Sequence, residues 1–542
     1  MRKKIAEKEK KREGSVYKNF IQLILVGSVT GVCAGAVLTL FNILAEKGEE
    51  LSRDAYAFVR GNPAFIPVLL IVLVLGAFLI SAAAKMSSMI RGCGIPQAEG
   101  ATRGAVRFKW WRDTTAMFAA CLLSIFMGLS IGAEGPSVFI GAGVGDGVAS
   151  LTHRNEMIKR YQITGGACTG LAVASNAPLT GIVFAFEEAH KRFTPEVFIC
   201  AFSSVVFGVL TRSTIYGLLD MQVHSAFHSY SFNALPLSAY GYVLAAGIIC
   251  GVLGVAFHKL CFLLRGLFKK IQTKDPKYKY FLRILIAVLL GGVFALATTG
   301  AMGGGHGFIE ALGTNGGTQN SEVQSVLLKL GKSLTWTILF VLILKFLITA
   351  VNVGSGIPCG IFIPIIAIGA GLGGLLNQLW LEMGLSAQYA DLMIMICMAA
   401  FFTTIVRAPL TAIIMICEFT GSFAPLLPVI IGVSVGYTVG EMSRTDGIYE
   451  DLLEAYEHEN GIHENAVREV YTIPLLTGAI ADKREVRDVL WPAGVRVAEI
   501  RRGEETILPD GDTVLHGGDV LTIVCKTDDP KRIKDELVHI LG

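Results

Sequence analysis

Charge is what this sequence has little of. Asp, Glu, Lys and Arg make up 17% of its 542 residues against 52% hydrophobic, which excludes a soluble multidomain enzyme and leaves a polytopic membrane protein. A net charge of +3 is too small to draw nucleic acid. The eleven cysteines contain no C-x-x-C pair and most lie in apolar runs, so they read as small core residues, not disulfides or metal ligands. Seven of the first twelve residues are basic, with neither an apolar core nor a small-residue cleavage site. That excludes a signal peptide. It leaves a solvated basic tail over residues 1–16 that keeps the amino terminus cytoplasmic. No T-V-G-Y-G filter is present, which removes the carbonyl ring of a potassium-type channel. G-K-S at Gly331 to Ser333 lacks the glycine five residues upstream, where Val326 stands, so it is no P-loop.

What is there is apolar length. Runs long enough to span recur at about 19–45, 65–84, 114–131, 162–186, 197–218, 237–264, 281–299, 335–351, 357–380, 391–417 and 424–440. After Tyr449 the composition turns polar. Residues 450–465 read as a helical connector, and residues 466–542 as a small α/β domain. That domain has a short helix near Lys483 to Leu490 and strands at Arg496 to Ile500, Thr513 to Leu515 and Val520 to Cys525. A last helix is capped by Asp529 and buries Ile533, Leu537 and Ile540.

The membrane part, residues 17–449, repeats itself. N-A-P-L-T-G-I-V-F-A-F-E-E from Asn176 matches R-A-P-L-T-A-I-I-M-I-C-E-F from Arg407 at an offset of 231, and I-G-A-G-V-G from Ile140 matches I-G-A-G-L-G from Ile368 at 228. Two matches at nearly one spacing indicate duplicated halves, about 17–220 and 237–449. Hydropathy leaves their relative orientation open. Transporters built this way bind substrate near the midplane, at broken helices.

Three Gly/Pro elements interrupt the apolar runs: G-C-G-I-P (Gly92 to Pro96), G-A-E-G-P (Gly132 to Pro136) and G-S-G-I-P-C-G-I-F-I-P (Gly354 to Pro364). Each can start a helix in mid-membrane, where free N–H groups favour an anion. Glu134 is the one charged residue between Phe118 and Val144. An ionised acid there costs roughly 2.5 to 3.5 kcal/mol on insertion scales. Its carboxylate can compete with a free anion for those amides, and protonation releases it, which couples protons to anions. The alternative is a structural acid that caps a helix.

Taken in order over residues 17–449, G-x-G-I-P, G-x-E-G-P, A-P-L-x-G with the following E-E, and G-I-F-x-P resemble the CLC chloride channel and transporter family. The resemblance implies an all-α polytopic membrane protein of two inverted helical repeats with broken helices. It also implies a homodimer with one anion pathway per subunit. Glu134 falls on the external gating glutamate and Glu188 on the internal proton-transfer glutamate, a position where family channels generally lack an acid. Cys93, Gly94 and Ile95, with Ile361, Phe362 and Tyr449, fall on the anion site. Glu187 matches Glu418 through the repeat and reads as structural, whereas Glu188 faces Phe419 and has no counterpart. A solvated helix end or a salt bridge to Arg192 is the competing reading of Glu188.

Cys93 stands where the chloride-specific subset has serine, and a thiol is a weaker and larger donor. The choice between chloride and nitrate is therefore open. Glu188 and Tyr449 argue against the fluoride-exporting branch. Residues Val467 to Gly542 resemble the TrkA-C, or RCK C-terminal, domain, which implies a cytoplasmic carboxyl-terminal sensor for a small effector such as a cyclic dinucleotide. Arg501 and His516 are polar residues available to one, and ordinary solvated surface is the competing reading.

The expected function is exchange of chloride, or a similar monovalent anion, for protons across the cell membrane, with no cofactor. A passive chloride channel is the alternative, and an RCK-regulated cation channel a distant one. G-x-S-x-G matches at Ser130 and Ser434 raise a membrane enzyme, but neither follows a strand, and small residues at helix contacts explain both.

Overall fold

The computed structural model describes residues 2–221, 227, 230–271, 278–313, 334–461, 467–527 and 529–542. Gly331 to Ser333, Val326 and the end of the connector lie outside the described residues. Among them, eight helices are long and apolar enough to cross a membrane.

The first half contains α1 (Arg2–Gly61), α2 (Ile66–Met86), α3 (Ile95–Thr102), α4 (Trp110–Phe126), α5 (Glu134–Leu151), α6 (Glu156–Ser175), α7 (Pro178–Phe184) and α8 (Pro195–Leu218). The second contains α9 (Tyr240–Lys269), α10 (Lys279–Ala297), α11 (His306–Leu312), α12 (Leu334–Ser355), α13 (Phe362–Glu382), α14 (Ala390–Val406), α15 (Pro409–Thr420) and α16 (Leu426–Met442). The packing repeats with the order. α1 lies on α5, α6 and α8, as α9 lies on α13, α14 and α16. The chain is thus built from two helical repeats that pack alike. The amino-terminal residues expected as a separate tail have a helical backbone continuous with the first span, consistent with their Lys, Arg, Glu and Ala content.

Two of the hydropathic runs prove to be broken helices. Residues 162–186 break at Asn176 (φ 52°) and residues 391–417 at Arg407 (φ 72°). In each, a left-handed residue ends one helix and a proline two residues later, Pro178 or Pro409, opens the next. Hydropathy averages over such a corner because both arms are apolar. The I-G-A-G repeat is a helix contact: a Cβ on Gly141 would strike the Gly166 carbonyl, and one on Gly369 would crowd the Cys397 carbonyl and Met398. Small residues let α5 approach α6, and α13 approach α14, at backbone range.

Beyond α16, α17 (Ile448–Glu459) buries Leu452, Leu453 and Tyr456 against the membrane part. It leads to an antiparallel sheet of β1 (Val467–Pro474), β2 (Val495–Arg502), β3 (Glu505–Ile507) and β4 (Val520–Thr527), in the order β1-β4-β2-β3, followed by α18 (Pro530–Leu541). Ile500, Leu521 and Ile523 of the sheet meet Ile533, Leu537 and Ile540 of α18. Asp529 caps α18, accepting from the Arg532 amide at 3.2 Å. Two expectations are corrected. Lys483 to Leu490 forms only a 3-10 turn at Val486–Asp488, and Thr513 to Leu515 is no sheet strand. These segments instead bond each other: Lys483 N–H to Leu515 at 2.8 Å, Leu515 N–H to Arg484 at 2.8 Å, and Val486 N–H to Thr513 at 2.9 Å. With their backbone groups satisfied locally, neither needs the helix or the sheet.

Candidate anion and proton site

The three Gly/Pro loops meet at one buried place. Gly132 and Gly360 exchange amide bonds of 2.8 and 3.1 Å, and the Cys359 amide donates to Gly92 at 3.2 Å. Gly94 lies at φ +89°, and a Cβ there would stand 3.0 Å from the Gly135 carbonyl. Only glycine meets both demands. From this knot α3, α5 and α13 depart. Their prolines, Pro96, Pro136 and Pro364, occupy the second or third helical position, where the sequence suggested the first. N–H groups of the whole first turn lack helical partners, so proline is equally at home there.

The expected anion-site residues are brought together. The Cys93 sulfur lies against the amides of Ile95 and Ile361, and Ile95, Ile361 and Phe362 are buried. Gly94 is a partial exception: its N–H donates to Gln97 Oε1 at 3.2 Å, so it supplies the turn but no free amide. Tyr449, the second residue of α17, is buried with a hydroxyl that has no partner. Cys93, Glu134 and Glu188 are among its electrostatic neighbours. A buried unpaired hydroxyl is costly, and a ligand at this spot would relieve it.

Glu134 begins α5 and is 2% exposed. Its Oε2 has no hydrogen-bond partner, and its Oε1 lies 3.7 Å from His306 Nε2. This is not the geometry of a helix cap. Glu188 is also buried, in a π-helical turn at Ala185–Ala189. The salt bridge to Arg192 is not formed: that guanidinium donates to the Arg487 carbonyl at 2.9 Å. Arg103 instead donates to the Glu188 and Ala189 carbonyls at 2.8 and 3.0 Å, and pairs with Glu450 at 3.2 Å and Glu99 at 3.5 Å.

The neighbouring Glu187 has the opposite role. It accepts from the amides of Leu410 and Thr411 at 2.8 and 2.6 Å, while Glu418 accepts from Leu179 and Thr180 at 2.8 and 2.7 Å. Each repeat caps the broken helix of the other. The structural reading of the Glu187–Glu418 match is the geometry found.

Arg501 and His516 are both exposed and are not joined in a site. The buried acid in that domain is Asp519, bonded twice at 2.8 Å by the partly exposed Arg502. Four polar groups near the membrane site escaped the sequence reading: Glu99, Arg103, His306 and Lys345. Lys345 is fully buried, donating to Ser130 Oγ at 3.2 Å and the Gly303 carbonyl at 3.1 Å. A charge inside the run L-I-L-K-F-L was the available signal. For His306 it was a glycine-led helix start, Gly305 at φ +97°, like Gly94 before α3. Ser130 is tied to Thr349 and Lys345, and Ser434 bonds back to the Ile430 carbonyl at 2.8 Å.

Duplicated halves whose helices α3, α5 and α13 begin at one buried point define a polytopic membrane protein built around a buried site. The chain belongs to the voltage gated chloride channel family, whose model matches residues 75–441, and a TrkA-C domain matches residues 470–538. It is 29% identical over 453 residues to the H(+)/Cl(-) exchange transporter ClcA of Vibrio cholerae, covering 80% of this chain and 90% of that one. ClcA of Yersinia pestis is 29% identical over 427 residues, 76% of this chain and 82% of the relative. Among solved structures, a slow cyanobacterial Cl-/H+ antiporter matches with a TM-score of 0.69 at 24% identity, covering 81% of this chain and 99% of that one. A CLC-type fluoride/proton antiporter matches at 0.62 and 21%, covering 79% and 97%. These structures share the fold.

Proposed function

We propose that this protein exchanges chloride, or a similar monovalent anion, for protons across the membrane. The observation that carries the reading is the pair of buried acids, Glu134 and Glu188, near one unpartnered Tyr449 hydroxyl. Glu134 is the protonatable substitute for the anion, Glu188 the inner proton donor, and Cys93, Ile95, Ile361, Phe362 and Tyr449 line the anion's place. A channel needs no second buried acid, and the relatives above are named as exchangers. The working unit is a homodimer with both termini cytoplasmic. The TrkA-C domain is where a small cytoplasmic effector acts, and cyclic dinucleotides are the class to test first.

The test is a reconstituted liposome. A chloride gradient should drive protons uphill in the wild type, Glu188→Ala should abolish proton movement while anion flux continues, and Glu134→Ala should uncouple it as well. Chloride flux with no proton movement in the wild type overturns exchange in favour of a channel.

A further inference from the structure

The carboxylate of Glu134 must trade its proton with the outer solution in every cycle, yet it is 3% exposed as a side chain and its Oε2 has no hydrogen-bond partner. His306 is the residue that reaches both places. Its Nε2 stands 3.7 Å from Glu134 Oε1, while 42% of its side chain remains accessible. We propose that His306 is the outer proton partner of Glu134, orienting its carboxylate and passing protons between it and external water. This rests on the exchange reading above.

The imidazole is held for that task. His306 is the first residue of α11, behind Gly305 at φ +97°, where a Cβ would collide with Ala367 and the Lys345 side chain. Phe227 lies against the imidazole with ring centroids 5.8 Å apart, and itself packs on Phe419 at 5.4 Å. The ring is thus held against Phe227, with one nitrogen towards the acid. The charged groups around it come from several helices: Glu134 on α5, Glu49 on α1 and Glu310 on its own α11. Glu46 on α1 has His306 and Arg212 of α8 among its electrostatic neighbours. Arg53 of α1 approaches Gly307, and Lys345 of α12 approaches Gly305. Of these, His306 alone combines contact with Glu134 and a side chain that titrates near neutrality in its unperturbed state.

The transfer balances. An imidazolium gives its Nε2 proton to Glu134 Oε1; an N–H bond breaks, an O–H bond forms, and both groups become neutral. The imidazole then takes a proton from external water, and the reverse sequence unloads Glu134. No other reactant is needed.

The test uses the full chain in liposomes, with chloride-driven proton movement followed as external pH is varied. The wild-type rate should change between about pH 5 and 8. In His306→Gln that inflection should disappear and coupled transport should slow roughly 10²-fold where proton transfer limits turnover, with the proton-to-chloride ratio unchanged. In a Glu134→Gln background, adding His306→Gln should have no further effect on anion flux, since a residue acting through Glu134 has nothing left to act on. A wild-type pH profile in His306→Gln, or an equal loss of anion flux in the Glu134→Gln background, overturns the assignment. Absence of proton movement in the wild type is read in the same assay and overturns the exchange reading, and this assignment with it.

Discussion

At the residue scale, three side chains with the same charge or polarity have different fates because of their surroundings. Glu134 and Glu188 are buried acids without amide caps, whereas Glu187, one residue from Glu188, is bonded to two amides. Glu187→Gln should therefore keep proton coupling, and Glu188→Gln should lose it, in the same liposome assay; equal losses would erase the distinction. Cys93 is the second case. Its sulfur rests on the Ile95 and Ile361 amides, the groups proposed above to line the anion's place. Cys93→Ser exchanges a bulky weak donor for a small strong one, and should raise the chloride-to-nitrate flux ratio. An unchanged ratio would show that selectivity is set by the backbone alone. Glu134 was visible in the sequence as an isolated charge; its lack of a cap was not, since that depends on where the loop through Gly360 places the nearest amides.

At the element scale, the unit that recurs is the broken helix. Asn176 and Arg407 turn the chain, Pro178 and Pro409 restart it, and Glu418 and Glu187 satisfy the restarted ends from across the molecule. Removing either acid strands first-turn amides where water is scarce. Glu187→Ala and Glu418→Ala should each lower stability by roughly 1.5 to 3 kcal/mol, the range for hydrogen bonds to charged groups, read as a fall in melting temperature of the full chain in detergent. A shift in one variant alone would mean the two caps are not equivalent. The A-P-L-T repeat announced that these segments correspond. That they cap one another required coordinates, because a repeat offset carries no contact.

At the scale of the whole molecule, the carboxyl-terminal domain meets the membrane part through apolar packing of Met157 and Leu490 and through charged and polar contacts. Arg484 pairs with Glu196 and Arg107 with Asp529, and Arg160 donates to the Trp491 carbonyl at 3.3 Å. Glu196 is the second residue of α8, soon after the Glu188 turn, and Arg192 between them bonds the Arg487 carbonyl, so the domain sits near Glu188. Within the domain, Asp519 is buried and bonded to Arg502 and to the His516 amide. Burial pushes that carboxyl up, but the Arg502 guanidinium and the His516 amide outweigh burial and hold it below the usual carboxylate range. A lowered folded-state value means stability that is present above the ordinary carboxylate pKa of about 3.9 and is lost as pH falls through the lower value. Hydrogen exchange in β4 of the full chain should thus rise on acidification below about pH 4. It should already be fast at neutral pH in Asp519→Asn, and unaltered exchange there would remove the pair from the account. Composition, the spacing of Gly and Pro, and the internal repeat by themselves determined the membrane class, the duplication, the separate polar domain after Tyr449 and the isolation of Glu134 as a lone charge, because apolar length and helix-starting residues are local properties of the chain. Only the tertiary structure decided that three loops close on one another, that Gly94 gives no free amide, and that His306 stands against Glu134. Those facts depend on segments far apart in the chain, which packing alone brings within bonding distance.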